Sequence, residues 1–165
     1  MLGVGEKFPS YSLKACIGCS ERSALCTITD RDYAGRWKVY FFWSKDFTEV
    51  ARSEIIEFAR LAPDFAELRA EVLAISVESE LAHMAWRQQD AALRDVPFPA
   101  LADTRRALCG QLGILNESQG VAQPSSFIVD SDGIIRFVYV TDLNVTPDPG
   151  EVLRVLADLQ DIYSN

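Results

Sequence analysis

The sequence predicts an α/β protein in which a mixed sheet is flanked by helices, and three observations carry that prediction. Short apolar, β-branched runs alternate with runs of helical period through the middle of the chain. A turn-rich stretch before them holds two strand-like runs. Near the end, two more strand-like runs are joined by Ser131-Asp132-Gly133 and followed by an amphipathic run. Such alternation, closed by a hairpin and a helix, calls for a sheet with helices on its faces.

Each element has its own signal. Residues 11–15 and 25–29 predict short strands around a loop rich in Gly and Ser. Residues 36–43 are apolar, aromatic and β-branched, as a buried central strand should be. Ile55, Phe58, Leu61, Ala62, Phe65 and Leu68 recur mostly at spacings of three and four, which predicts a helix that Pro63 kinks or breaks. Residues 72–77 predict a second buried strand, and residues 79–93 a helix with Ser79 as its N-cap. Residues 100–102 predict a short strand, and residues 104–112 a helix stopped by Gly113. Residues 126–130 and 134–140 predict the hairpin strands. Val152, Leu153, Val155, Leu156 and Leu159 predict the last helix after Pro147 and Pro149.

The chain has 165 residues, enough for one domain with a proper core. Its net charge of -8 repels phosphate backbones and anionic lipid, so neither nucleic acid nor membrane is an expected partner. No apolar run approaches the ~20 residues of a membrane span. The first residues lack a basic segment followed by an apolar one, so a cytoplasmic location is expected. The four cysteines, Cys16, Cys19, Cys26 and Cys109, are therefore expected as thiols. A lone histidine, His83, rules out a Cys2His2 site, and no metal or cofactor is expected.

Several segments together resemble one family. Residues 41–54 read Phe-Phe-Trp-Ser-Lys-Asp-Phe-Thr-Glu-Val-Ala-Arg-Ser-Glu. Residues 75–87 carry a strand and then His83-x-x-Trp86; residues 97–103 read Pro-Phe-Pro-Ala-Leu-Ala-Asp; residues 126–130 read Ser-Phe-Ile-Val-Asp. In order and spacing these resemble the AhpC/Tsa-type peroxiredoxins over about residues 3 to 160. The resemblance implies a thioredoxin fold of peroxiredoxin type in one domain spanning 1–165, without the family's C-terminal tail and its resolving cysteine. It also implies thioredoxin-dependent reduction of hydroperoxides, through a cysteine thiolate held by a threonine, an arginine and a shielding proline.

The departures fall on that machinery. Thr48 is kept. Ser44 stands at the proline position, Ala51 at the cysteine position, Arg52 at the residue after it, and Pro124 at the arginine position. A methyl group is no nucleophile. The expectation is a family member that has lost peroxidase activity and acts as a regulatory or structural protein. The resemblance implies a homodimer or larger ring, in which an active peroxiredoxin paralogue is an alternative partner, built on the loop around Phe47 or the edge strand at residues 134–140.

Alternatives stay open. Cys16 and Cys19, with Cys26 as a possible third member, suit a redox dithiol or a metal half-site, against unrelated thiols in a hairpin with no helix after it. Ala51 also fits an engineered Cys→Ala change, but that leaves Ser44, Arg52 and Pro124 unexplained. The space near Thr48 offers a third reading, a ligand pocket. Cys109, His83 and Trp86 are expected to pack, and Asp46 and Glu49, with Arg52, to form a solvated loop or a local ion pair. The Gln123–Pro124 bond is expected to be cis, by likeness to the cis-proline loop of thioredoxin-type proteins.

Overall fold

The computed structural model describes residues 1–20 and 24–163. A β-hairpin, β1 (Ser12–Cys16) and β2 (Leu25–Thr29), pairs in antiparallel register with Ala15 opposite Cys26. After a 3-10 turn at Asp30–Tyr33 come β3 (Trp37–Phe42), α1 (Glu49–Arg60), α2 (Ala62–Glu67) and β4 (Ala70–Ser76). Next are α3 (Glu80–Gln89), β5 (Ala100–Ala102) and α4 (Ala107–Leu112). A two-stranded ladder, β6 (Leu115–Asn116) and β7 (Val121–Ala122), precedes β8 (Ser125–Val129), β9 (Ile135–Val140) and α5 (Pro149–Tyr163).

Seven strands form one sheet in the order β2-β1-β5-β4-β3-β8-β9. Strands β3, β4 and β5 run parallel through helical crossovers, whereas β1 and β8 pair antiparallel to their neighbours. All six residues of β3 are buried, and their alternation divides the core. Trp37, Val39 and Phe41 face α1 and α5, where Phe41 stacks on Phe58 with ring centroids 4.1 Å apart. Tyr40 and Phe42 face the other side, where Tyr40 stacks on Phe8 at 4.1 Å and its hydroxyl meets that of Tyr11 at 2.9 Å. Strand β9 ends the sheet beside β8, with Val140 exposed at its tip.

Element boundaries depart from the pattern where local chemistry intervenes. The expected long helix divides at Leu61, and Pro63 sits in the first turn of α2, where its missing N–H is no loss. The expected helix at 79–93 stops at Gln89. Asp90 there takes an extended backbone and caps a separate 3-10 turn, Ala91–Leu93, by accepting from the Ala92 N–H. The helix expected from 104 begins at 107 because Arg106 has a left-handed φ of 58°. Ser79 does cap α3, accepting from the Ala82 N–H at 3.1 Å.

The Gln123–Pro124 bond corrects the cis expectation, since no cis peptide occurs among the described residues. Gln123 is fixed as extended chain between two strands: its N–H donates to Ile114 O at 2.7 Å and its side chain donates to Thr141 O at 2.9 Å. The Pro124 carbonyl then accepts from Thr141 N at 2.9 Å, which continues the β8–β9 ladder by one rung. A straight strand entry leaves no turn for a cis bond to make.

Candidate functional site

The segment that departs most from its family pattern joins β3 to α1. The Trp43 N–H donates to Ile75 O at 3.0 Å, so the chain leaves the sheet at residue 43. Thr48 is the extended N-cap residue of α1, and its hydroxyl donates to Lys45 O at 2.8 Å instead of capping the helix. Ala51 lies in the first helical turn with only 2% of its surface exposed. Its methyl packs among Trp43, Ile55 and Phe58 on the helix-covered side of the sheet. Ser44 is half-buried at the start of the loop.

Register places Pro124 on the same side. Ser126 is the cross-strand partner of Phe41, which faces α1, and Pro124 precedes Ser126 by two residues of extended chain. Ala51, Thr48 and Ser44 thus share one loop-and-helix unit, and Pro124 lies on the sheet face that the helix covers. Polar atoms on this side lack partners: Glu54 Oε2 and Ser126 Oγ are buried without a hydrogen bond. Glu54, 1% exposed, lies one turn after Ala51, and burial raises its carboxyl well above the usual range. An acidic residue within the apolar face formed by Ala51, Ile55 and Phe58 was the sequence signal for it.

Asp46 corrects the expectation of a solvated loop. It is 7% exposed and forms the hub of a buried network. Its Oδ1 accepts from Trp43 Nε1 at 2.7 Å and from the Ser76 hydroxyl at 3.3 Å. Its Oδ2 lies 2.6 Å from His83 Nδ1, while His83 Nε2 lies 3.0 Å from Leu101 O. A carbonyl only accepts, so His83 Nε2 donates to Leu101 O, and Nδ1 faces the Asp46 carboxylate. His83 is therefore a polar tie between the loop, α3 and β5, rather than packing alone. Arg52 pairs with Asp90 at 2.6 Å, and its distance to Glu49 is 3.8 Å. The hydrogen bond from Arg52 lowers the Asp90 carboxyl below its ordinary range.

The surface over this loop is aromatic. Phe47 has a left-handed φ of 61°, is 54% exposed, and lies 5.6 Å from the Trp86 ring. A shallow depression of about 350 Å³ opens beside it, lined by Thr48, Arg52, Trp86, Gln89 and Asp90 but not by Ala51. A larger cleft, about 690 Å³, lies elsewhere, between β1 and the start of α4. Its one buried carboxylate, Asp103, is occupied in capping Leu108 N and Cys109 N at 3.1 and 2.8 Å.

The cysteines lie apart from Ala51. All four are free thiols. Cys16 ends β1, fully buried, and its thiol donates to Gly18 O at 2.6 Å. Cys19 is half-buried in the following bend. Cys26 opposes Ala15 and Cys16 opposes Leu25, so Cys26 and Cys16 project from opposite faces of the hairpin. No cluster of three potential metal ligands occurs among the described residues. Cys109 is buried on α4, where burial first, and Asp103 second, push its thiol up to about 12.

Comparison with known proteins agrees with this architecture. The profile of the AhpC/TSA family matches residues 4–138. Alkyl hydroperoxide reductase C of Mycolicibacterium smegmatis is 41% identical over 168 residues, covering 97% of this chain and 86% of that protein. A putative peroxiredoxin in the rubredoxin operon of Clostridium pasteurianum is 36% identical, covering 95% of this chain and 89% of that protein. The structure of Mycobacterium tuberculosis AhpC superposes with a TM-score of 0.91 at 40% identity, covering 99% of this chain and 96% of that one. With a seven-stranded mixed sheet of peroxiredoxin type and relatives at this identity along nearly its whole length, the chain belongs to the AhpC/TSA family.

Proposed function

We propose that this is a cytoplasmic, single-domain peroxiredoxin-family protein without thiol peroxidase activity, acting through its surfaces as a regulatory or structural oligomer. The observation that carries the reading is the buried Ala51 methyl in the first turn of α1. Peroxide reduction in this family needs a thiolate at that place, and a methyl group has no lone pair to offer an O–O bond. The relatives named alkyl hydroperoxide reductase C supply the contrast. Pro124 brings no cation to the face that covers Ala51, and Glu54 is left as a buried carboxyl with no ion pair among the described residues. These features accompany Ser44 at the loop, and together they favour a natural loss over an engineered change at one residue.

The association surfaces are the aromatic loop around Phe47 and the edge of β9. Either serves a two-fold homodimer, and a larger ring needs both. An active peroxiredoxin paralogue presenting the same surfaces is a second possible partner. The test is peroxide consumption with a thiol reductant, together with native mass at micromolar concentration. Expected are consumption at the rate of reductant alone and a mass of two chains or more. Turnover abolished by thiol blocking refutes the first part, and a strict monomer refutes the second.

A further inference from the structure

Cys16 and Cys19 meet a buried arginine that the site around Ala51 does not use. Arg87, on α3, is 4% exposed. Its Nη2 donates to Phe98 O at 2.8 Å, and its Nη1 is buried with no hydrogen-bond partner. No ion pair holds it among the described residues. Burial lowers its affinity for the proton, and the thiols of Cys16 and Cys19 oppose that shift ahead of Asp46. The geometry explains why. Phe98 lies two residues before Ala100, and Ala100 is the cross-strand partner of Cys16. Ala100 faces the helix-covered core, so Cys16 faces α3. The next residue of α3, Gln88, donates to the Cys19 carbonyl at 2.9 Å. Adjacent residues of one helix thus border the bend: Gln88 holds its Cys19 end, and Arg87 bonds Phe98 O on the segment leading to Ala100, the partner of Cys16.

We propose that Cys16 and Cys19 form a reversible dithiol–disulfide couple that exchanges with external disulfides, in a corner where Arg87 supplies the positive charge. The sequence-based objection to this pair was the lack of a following helix; α3 presents its last turn here, so the positive charge comes from the Arg87 side chain and not from a helix dipole. A buried guanidinium without an anion is costly, and a thiolate beside it relieves that cost. Cys19, half-buried, is the entry point. Its thiolate attacks one sulfur of an organic disulfide RSSR, forming Cys19–S–SR and expelling RS⁻, which takes up the proton that Cys19 released. Cys16 already leans over the bend, its thiol 2.6 Å from Gly18 O. It then attacks Cys19 Sγ, loses its own proton and expels the second RS⁻. The protein loses two protons and two electrons, and RSSR takes up both to become two RSH. Cys26, on the opposite face of the hairpin, takes no part. The inference does not rest on the reading of residue 51.

Oxidised glutathione serves as the probe. The full-length protein is incubated with it, free thiols are alkylated, and the tryptic segment 15–22, which contains Cys16 and Cys19 and no other cysteine, is weighed. Expected is unalkylated segment lighter by about 2 Da, the two hydrogens lost on forming the disulfide, and full reversal by a dithiol reductant. Cys16→Ser should stop at a glutathione adduct on Cys19, Cys19→Ser should abolish the reaction in this segment, and Cys26→Ser should behave as the parent. Arg87→Gln should slow the first step severalfold, while Arg87→Lys should keep most of the rate, with near-UV circular dichroism confirming both folds. Two alkylated thiols in the parent segment, or a persistent adduct with Cys16 intact, overturns the couple. A folded Arg87→Gln reacting at the parental rate overturns the role of Arg87.

Discussion

Glu54 is the group most exposed to a decisive measurement, through the isosteric change Glu54→Gln. The carboxyl is 1% exposed, its Oε2 has no hydrogen-bond partner, and no ion pair to it occurs among the described residues. Burial alone raises its affinity for a proton. In the unfolded chain a glutamate titrates near ~4.3. Between that value and the higher one in the folded state, the native protein holds one proton that the unfolded protein has released. Stability from this group is therefore complete below the unfolded value and is lost as pH rises through the folded one. The slope is about 1.4 kcal/mol per pH unit for one proton. Glutamine has nearly the same shape and does not titrate. The advantage of Glu54→Gln over the parent should then grow by about 1.4 kcal/mol for each unit above roughly pH 5, until the folded carboxyl ionises and the gap levels off. Urea unfolding of both proteins at about pH 5.5, 6.5 and 7.5 reads this directly, since shared titrations cancel in the difference. A gap that stays flat across that range would refute the argument, because it would mean that Glu54 has a partner or reaches water.

Two other changes probe the neighbourhood. Asp46→Ala removes the acceptor shared by Trp43 Nε1, Ser76 Oγ and His83 Nδ1, and should lower stability by about 3 kcal/mol, as breaking a buried ionic or hydrogen-bonded group does; a loss below about 1 kcal/mol in urea unfolding would show that the network is not what fixes the loop. Ala51→Cys should restore little peroxide reduction, because Pro124 supplies no cation to the new thiol; adding Pro124→Arg should raise it further, and a fully competent single mutant in a peroxide-consumption assay would refute the claim of coordinated loss.

The framework was legible because its signals are local and strong. Residues 36–43 could only be a buried central strand, and β3 is buried along its whole length. Ser131-Asp132-Gly133 marked the hairpin, and Gly133 does adopt a left-handed φ of 84°. The errors arose where a short-range pattern met a long-range bond. Asp46 looked solvated because it lies among Lys45, Phe47 and Glu49, yet two of its three partners are 30 and 37 residues away. The cis expectation at Pro124 rested on likeness to a loop, whereas Ile114 and Thr141 fix the course of the chain. The β6–β7 ladder escaped notice because two-residue strands are too short to show a period. Arg87 gave no signal, since its importance lies in a partner it lacks.

These distant ties bear on how a chemically altered loop keeps its surface. The path from Trp43 to Thr48 is held by Asp46 through Trp43, Ser76 and His83, and by the Thr48 hydroxyl on Lys45 O. None of these bonds involves Ser44, Ala51, Arg52 or Pro124. Phe47 sits between Asp46 and Thr48 in a left-handed backbone that a bulky residue enters only under constraint. With both neighbours anchored, its ring is held exposed against Trp86 whatever stands at position 51. The residues that depart from the family pattern and the residues that anchor the loop are separate sets. The anchoring bonds are present with Ala51 in the helix, and the exposed Phe47 ring against Trp86 is the surface that the proposed association would use. If the Asp46 network is the anchor, Asp46→Ala should weaken self-association along with stability, whereas Ala51→Cys should leave the native mass unchanged.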